Sequence, residues 1–320
     1  MKKYFILAAA AITLVACNQK EMENDGVQEP KVINLTASIN SGEDVTRASS
    51  ADALQNTQFV ANEKIFVEAY ETGLTTAYKT GTYTTGENGA LTADDPGMYY
   101  PANEHAVDIC AYYPSTISSS TTEFTVSDAQ QTAANYRASD LMYATKLSNQ
   151  ASTTSETRHL TFNHALTKII VNISLDASIT SQSITQPTIS AVKITNTVRQ
   201  ASFTIAGGAI ASNAINAKAE TAASDITITG TVDAVVGHSN MGVIVPQTVA
   251  ANADFIVVTY DSRPYTYKLP NATTFQAGKV YTYAFTLTAR ELRLNVTEIT
   301  DWAAETGEGA NTGDSHSFTL

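Results

Sequence analysis

Along residues 32–40 apolar and polar positions alternate without a break: Ile33, Leu35, Ala37 and Ile39 interleave with Asn34, Thr36, Ser38 and Asn40. A period of two sends one set to a buried face and the other to an open one, so the segment predicts a strand laid against a core. Short runs of strand-forming residues recur at 64–70, 99–101, 107–113 and 141–146. They continue at 191–195, 202–206, 226–229, 241–245, 254–260, 265–269, 279–288 and 291–296. Turn chemistry separates them. Asp261-Ser262-Arg263-Pro264 predicts a hairpin and Gly207-Gly208 a turn. Residues 160–175 read as one long strand whose inward parity shifts between Phe162 and Ile169, predicting a bulge near Ala165 to Lys168. Only 127–138 has much helical composition, and it is short.

Strands at this spacing with no helices between them predict an all-β chain of antiparallel sandwiches and not a parallel sheet. A length of 320 residues suits two domains, each able to bury a core. The polar, turn-rich stretch 147–157 marks the expected boundary. The expected domains are 48–149, completed by the strand 32–40, and 150–320, ending in a Gly-rich tail over 303–320. Composition agrees with strands: charged residues are only 16%, and Thr, Ser and Asn supply the polar surface. A formal net charge of -12 excludes nucleic acid as a partner, since phosphates need a basic footprint.

The beginning of the chain reads as an address. Lys2 and Lys3 precede an apolar run over 5–16, too short for the ~20 residues that span a bilayer. Residues 1–16 are therefore expected to be a signal peptide. Leu14-Val15-Ala16-Cys17 is similar to a bacterial lipobox, with small residues giving a peptidase access and the Cys17 thiol accepting lipid; the alternative is an ordinary secretory signal that happens to contain a cysteine. Several acyl chains at ~0.8 kcal/mol per buried methylene would anchor firmly. With Cys17 acylated, Cys110 has no disulfide partner within the chain and reads as a small buried residue. Residues 18–30 are polar, acidic and without period, a flexible tether. Past the strand, Ser41-Gly42-Glu43-Asp44 is a turn by composition. Arg47 then lies among small polar neighbours, either a surface arginine or a site for a trypsin-like protease.

Catalytic machinery is sparse in the sequence. His105, His159, His164, His238 and His316 are scattered without metal-ligand spacing, and no nucleophile elbow or phosphate-cradling glycine loop is present. His164 is expected to make a structural hydrogen bond. The chain is expected not to be an enzyme and to need no cofactor or metal. Fifteen tyrosines and one tryptophan fit cross-strand aromatic pairs, with an exposed sugar-binding platform as the alternative.

Several segments together carry a family resemblance. They are the lipobox, the early strand followed by Thr46-Arg47-Ala48, Tyr99-Tyr100-Pro101 and the run 107–114. Further on come Asp140-Leu141-Met142-Tyr143-Ala144, the run 160–169, Phe275-Gln276-Ala277-Gly278-Lys279-Val280-Tyr281 and Ile299-Thr300-Asp301-Trp302. In this order they resemble the fimbrillins, the type V pilins of anaerobic Gram-negative bacteria of gut and mouth. The resemblance implies two tandem transthyretin-like, Greek-key β-sandwiches. It also implies export as an outer-membrane lipoprotein held through Cys17, and cleavage by an arginine-specific protease between Arg47 and Ala48, making 17–47 a propeptide. Loss of the strand holding Ile33, Leu35, Ala37 and Ile39 would open a groove for a strand from another pilin subunit, giving a surface fimbria that supports adhesion. Phe318 and Leu320 of the tail are the candidate donor residues. Tip and anchor subunits share the fold. The alternative is a surface lipoprotein that binds glycan or a host protein without polymerising.

Overall fold

Alternating residues become strands along most of the chain. The computed structural model describes residues 31–40, 54–55, 57–153, 156–180, 189–228 and 238–302. In chain order the strands of the first part are β1 (Asn34–Ile39), β2 (Lys64–Glu71), β3 (Lys79–Thr85), β4 (Leu91–Ala93), β5 (Val107–Tyr113) and β6 (Glu123–Thr125). After the short helix α1 (Ala133–Ala138) come β7 (Met142–Ala144), β8 (Leu147–Gln150), β9 (Thr157–His164) and β10 (Thr167–Leu175). The one-turn helix α2 (Ala177–Thr180) precedes β11 (Ile189–Thr197), β12 (Gln200–Ala206), β13 (Ala209–Ala217), β14 (Ser224–Ile228) and β15 (His238–Ile244). The last are β16 (Gln247–Val249), β17 (Asp254–Tyr260), β18 (Arg263–Lys268), β19 (Thr273–Phe275), β20 (Lys279–Leu287) and β21 (Leu292–Asp301). The all-β expectation holds.

The first sheet runs β1-β9-β7-β5-β2-β3-β4, with β8 also paired to β5. Later strands form two four-stranded sheets, β15-β10-β20-β21 and β14-β11-β17-β18, beside the smaller sheets β13-β12-β6 and β16-β19. Pairing is antiparallel except for β1 on β9 and β10 on β20. The two expected turns are tight two-residue hairpin loops. Asp261 and Ser262 have φ of 48° and 63°, and Gly207 and Gly208 have 59° and 86°. Positive φ at both positions matches the twist of the strands that such a loop joins.

Two hydrophobic clusters fill the interior, and β5 separates them. Ile109, Ala111 and Tyr113 face the cluster that holds Ile33, Val67 and Phe162, whereas Cys110 and Tyr112 face the one that holds Val171, Phe255 and Phe285. Period two explains the division, and burial on both faces explains why VDICAYY is apolar at every position but Asp108. Burial also pushes the Cys110 thiol up to about 11, which leaves it protonated and unreactive at neutral pH.

One sequence expectation is corrected. Residues 160–175 are not one bulged strand: β9 ends at His164 in the first sheet and β10 starts at Thr167 in another. At the break the backbone turns to new partners, Ala165 N–H donating to Leu141 O (2.8 Å) and Gly278 N–H to Leu166 O (2.7 Å). The polar stretch 147–157 also contains a strand, β8, paired to β5. An ionic clasp adds to that pairing. Asp108, buried on β5, accepts from Lys146 Nζ (2.8 Å), Asn149 N–H (2.8 Å) and Thr72 Oγ1 (3.2 Å). Burial by itself would raise the Asp108 carboxyl, but Lys146 and the two other donors outweigh it and hold the group below its ordinary 3.8.

A depressed carboxylate contributes stability above its unfolded pKa and loses it as pH falls through the folded one. Asp108→Asn is therefore expected to melt lower than the parent at pH 6, with the gap narrowing below pH 3.8. Thermal melts across that range check it; a gap independent of pH would remove the ionic explanation.

Candidate functional site: the seat of the first strand

The inward side chains of β1 come from its alternation, and all four are buried: Ile33, Leu35, Ala37 and Ile39 are 1–4% exposed. Their outward neighbours Asn34, Thr36, Ser38 and Asn40 are exposed or half-buried. On one side β1 lies parallel to β9 in an unbroken register from Asn34↔Thr157 to Ile39↔Phe162. Its other side meets the far end of the same sheet through single bridges, Val32↔Tyr99 and Thr36↔Ala90. Thus β1 joins the two ends of the first sheet. Ile33 N–H donates to Met98 O (2.8 Å), and Tyr100 N–H donates to Lys31 O (2.9 Å). An ion pair between Lys31 and Glu104 (2.7 Å) fastens the beginning of the segment.

Three residues outside β1 shape its seat. Gly89, at φ +74°, follows Asn88, and a Cβ built there would lie 2.1 Å from the Ala37 carbonyl oxygen. Only glycine lets the two backbones approach so closely. His159 on β9 clips the open face, its Nδ1 3.0 Å from Thr36 Oγ1 and its Nε2 2.8 Å from Ser38 Oγ. Near the end of β1, Phe59 packs edge-on against Phe162 (4.9 Å between centroids) and tilted against Tyr113 (5.6 Å). On the opposite wall the Tyr83 hydroxyl accepts from Met98 N–H (3.1 Å); burial raises its pKa against the lowering effect of that bond, keeping it neutral.

The chain that leaves the seat returns to it. Asn40 N–H donates to Phe162 O (2.7 Å), and its amide nitrogen donates to Asn163 Oδ1 (2.9 Å). Ile39 N–H donates to Thr57 O (3.3 Å), so residues 39 and 57 are hydrogen-bonded neighbours. Gln55, fully buried, accepts from Val60 N–H through Oε1 (3.0 Å). Arg47 and Ala48 fall between these two anchors, outside the described residues, as do Cys17, Phe318 and Leu320.

A second constellation lies where the first sheet hands over to β10. Asp140 and His164 are buried and paired, with His164 Nδ1 3.1 Å and 3.0 Å from the two carboxylate oxygens. The imidazole lies flat on the Trp302 indole, with 3.9 Å between centroids and 4° between planes. Lys168 Nζ stands 5.9 Å over the same indole. The Trp302 backbone N–H donates to Gly278 O (2.9 Å), and Thr167 Oγ1 donates to Gln276 O (2.7 Å). Segments ending or starting at Asp140, His164, Gln276-Gly278 and Trp302 therefore close on one joint. The structural hydrogen bond expected of His164 is thus made to Asp140 from the last residue of β9. Among the described residues no group of three or more His, Cys, Asp or Glu is placed to hold a metal ion.

Comparison with known proteins identifies the architecture. The sequence model of the fimbrillin-like family matches residues 46–302, most of the chain. The chain belongs to the fimbrillin-like family. No curated protein matches it. A candidate cell adhesion protein from Bacteroides uniformis, known as a crystal structure, is 21% identical and aligns over 85% of this chain and 98% of its own, with a TM-score of 0.60. One from Bacteroides ovatus is 18% identical over 86% of this chain and 99% of its own, with a TM-score of 0.62. The likeness to both is one of fold. In this fimbrillin-like chain the family match begins after β1 and ends on the Trp302 of the joint.

Sequence reasoning found the four inward residues of β1 but missed Gly89, His159 and Phe59. That Gly89 touches Ala37 depends on a contact across 52 positions that no local pattern carries. Gly89→Ala combines an unfavourable φ with overpacking, and a loss of about 2–4 kcal/mol is expected. A melt lowered by roughly 5–10 °C, with earlier proteolysis at the β1 end, would register it. An unchanged melt would show that the wall beside Ala37 yields freely.

Proposed function

We propose that this chain is a structural subunit of a cell-surface fimbria, and that β1 is a temporary occupant of a groove which another subunit's strand fills on assembly. The observation that carries this reading is the closed detour between Ile39 and Thr57: the main chain is fastened at both ends of the stretch that contains Arg47. Cleavage after Arg47 would disconnect β1 without interrupting any described strand. What stays behind would be the β9 edge, the Ala90 and Met98–Tyr100 backbone, and apolar walls that β1 now covers. Unpaired edges of this kind recruit strands.

Magnitudes set the order of events. Burial of Ile33, Leu35 and Ile39 contributes roughly 5–9 kcal/mol before backbone pairing is counted. Cutting alone therefore would not empty the groove; a competing strand has to displace β1. Exchange from one subunit to the next is head-to-tail and does not close on itself, so it grows a filament. Export as a lipoprotein through Cys17 would hold the uncut chain at the outer membrane, and adhesion would follow from the assembled fibre. Membership of the fimbrillin-like family and the fold shared with candidate cell adhesion proteins support the reading.

The test is Arg47→Ala. Unheated samples of cells making the parent protein are expected to give SDS-resistant ladders, and cells making the variant only monomer that still carries residues 31–40. Unchanged ladders would mean that assembly does not pass through this bond, and would favour a lipoprotein that stays anchored at Cys17.

A further inference from the structure

We infer that residues 126–130 serve as a borrowed edge strand that closes the β14–β15 side of the two four-stranded sheets to strand addition, with Gln130 as the closing residue. The inference goes beyond the exchange at β1 and needs no cleavage after Arg47. Open edges invite other strands, and folded chains blunt them with charge, Pro or bulges. Two of the four edges of these sheets carry such devices. β18 is six residues long and holds Arg263, Pro264 and Lys268. β21 has a bulge between Leu294 and Val296 and carries Arg293, Glu298 and Asp301. β15 (HSNMGVI) holds no Pro and no Lys, Arg, Asp or Glu, so its edge needs a cover from elsewhere.

The cover comes from the segment between β6 and α1. Thr227 N–H on β14 donates to Asp128 O (2.8 Å), and Gln130 N–H donates to Thr227 O (2.9 Å). The segment thus adds to β14 in parallel, through the bridge Ala129↔Thr227. The Gln130 side chain, itself buried, then crosses to β15. Its Oε1 accepts from Val243 N–H (2.7 Å), and its Nε2 donates to Val243 O (2.8 Å). A primary amide presents the donor and the acceptor of a peptide group, so this side chain meets Val243 as a neighbouring strand would. One residue thereby pairs both edges.

The fit is close on every side. A Cβ built on Gly242 would lie 2.4 Å from Ile228 Cγ2 and 3.1 Å from Ile194 Cδ1, so glycine there lets β15 settle against β14 and β11. Val126, fully buried, anchors the segment in the second cluster. Arg199 clamps the same end. Its Nη1 donates to Val126 O (2.8 Å), its Nε donates to Ser224 Oγ on β14 (2.9 Å), and its backbone O accepts from Val126 N–H (3.0 Å). At the other end Asn135 Nδ2 of α1 donates to Ala129 O (2.8 Å). Removal of the Gln130 amide would leave Val243 N–H and C=O facing no partner on that side, in a strand without the charges that repel a second copy of the chain.

The test uses the uncut full chain, whose β1 groove is filled, so that association through that groove is blocked. Amide hydrogen exchange of the parent is expected to show Val243 and Thr227 as protected as Val171 on β10, a strand paired on both sides. Gln130→Ala is expected to speed exchange at Val243 by about tenfold or more, as the loss of two hydrogen bonds implies. Light scattering is expected to show its mass rising with concentration while the parent stays monomeric. Arg199→Gln, at a half-buried position, is the second variant, and it decides the matter if Gln130→Ala does not fold. It is expected to speed exchange at Thr227 and to self-associate more weakly than Gln130→Ala. Fast exchange at Val243 in the parent would overturn the inference, as would a folded variant with parent-like exchange or one that stays monomeric at every concentration. None of these results bears on strand exchange at β1.

Discussion

A sheet whose two ends meet on a single short strand depends on that strand. Here β1 has a full parallel ladder with β9 on one side and only point contacts on the other. Remove it, and the β9 edge, the Ala90 bridge and the cover over the first core are lost together. Its roughly 5–9 kcal/mol of apolar burial is of the same order as the net stability of a whole domain, about 5–15 kcal/mol. A strand of that weight cannot be absent without replacement. It is also attached to the body by one covalent connection on its C-terminal side, within residues 41–53, which makes it separable.

What keeps the body together without β1 is the rest of the architecture. The second cluster draws on β10, β11, β17 and β20 and contains no residue of β1. β5 closes that cluster with Cys110 and Tyr112 while its alternate residues close the first. The joint of Asp140, His164 and Trp302 ties the turn from β9 into β10 to the end of β21. Loss of β1 would thus open one core and leave the other sealed. That division would suit the strand exchange proposed above.

Much of this was legible in the residues. The clean alternation of 32–40 identifies both the strand and its inward face, and 107–113, apolar except at Asp108, is what a strand buried on two faces looks like. Other strands were hidden by composition. Residues 79–85 (KTGTYTT) and 209–217 (AIASNAINA) pair as β3 and β13 with few large apolar side chains, so their period carries little contrast. The parity change after Phe162 reads as a bulge because a bulge and a crossing between sheets shift parity alike; only the partners of Ala165 and Leu166 distinguish them. Gly89 and His159 act through neighbours distant in sequence, and no local pattern announces such contacts.

The central claim is that the working subunit lacks the strand seen here in its groove. Intact mass and N-terminal peptide mapping of the protein released from the surface of cells test it most directly. A subunit beginning at Ala48, without residues 32–40 and without lipid, is expected. An assembled subunit that still carries Ile33 to Ile39 joined to its body would contradict it.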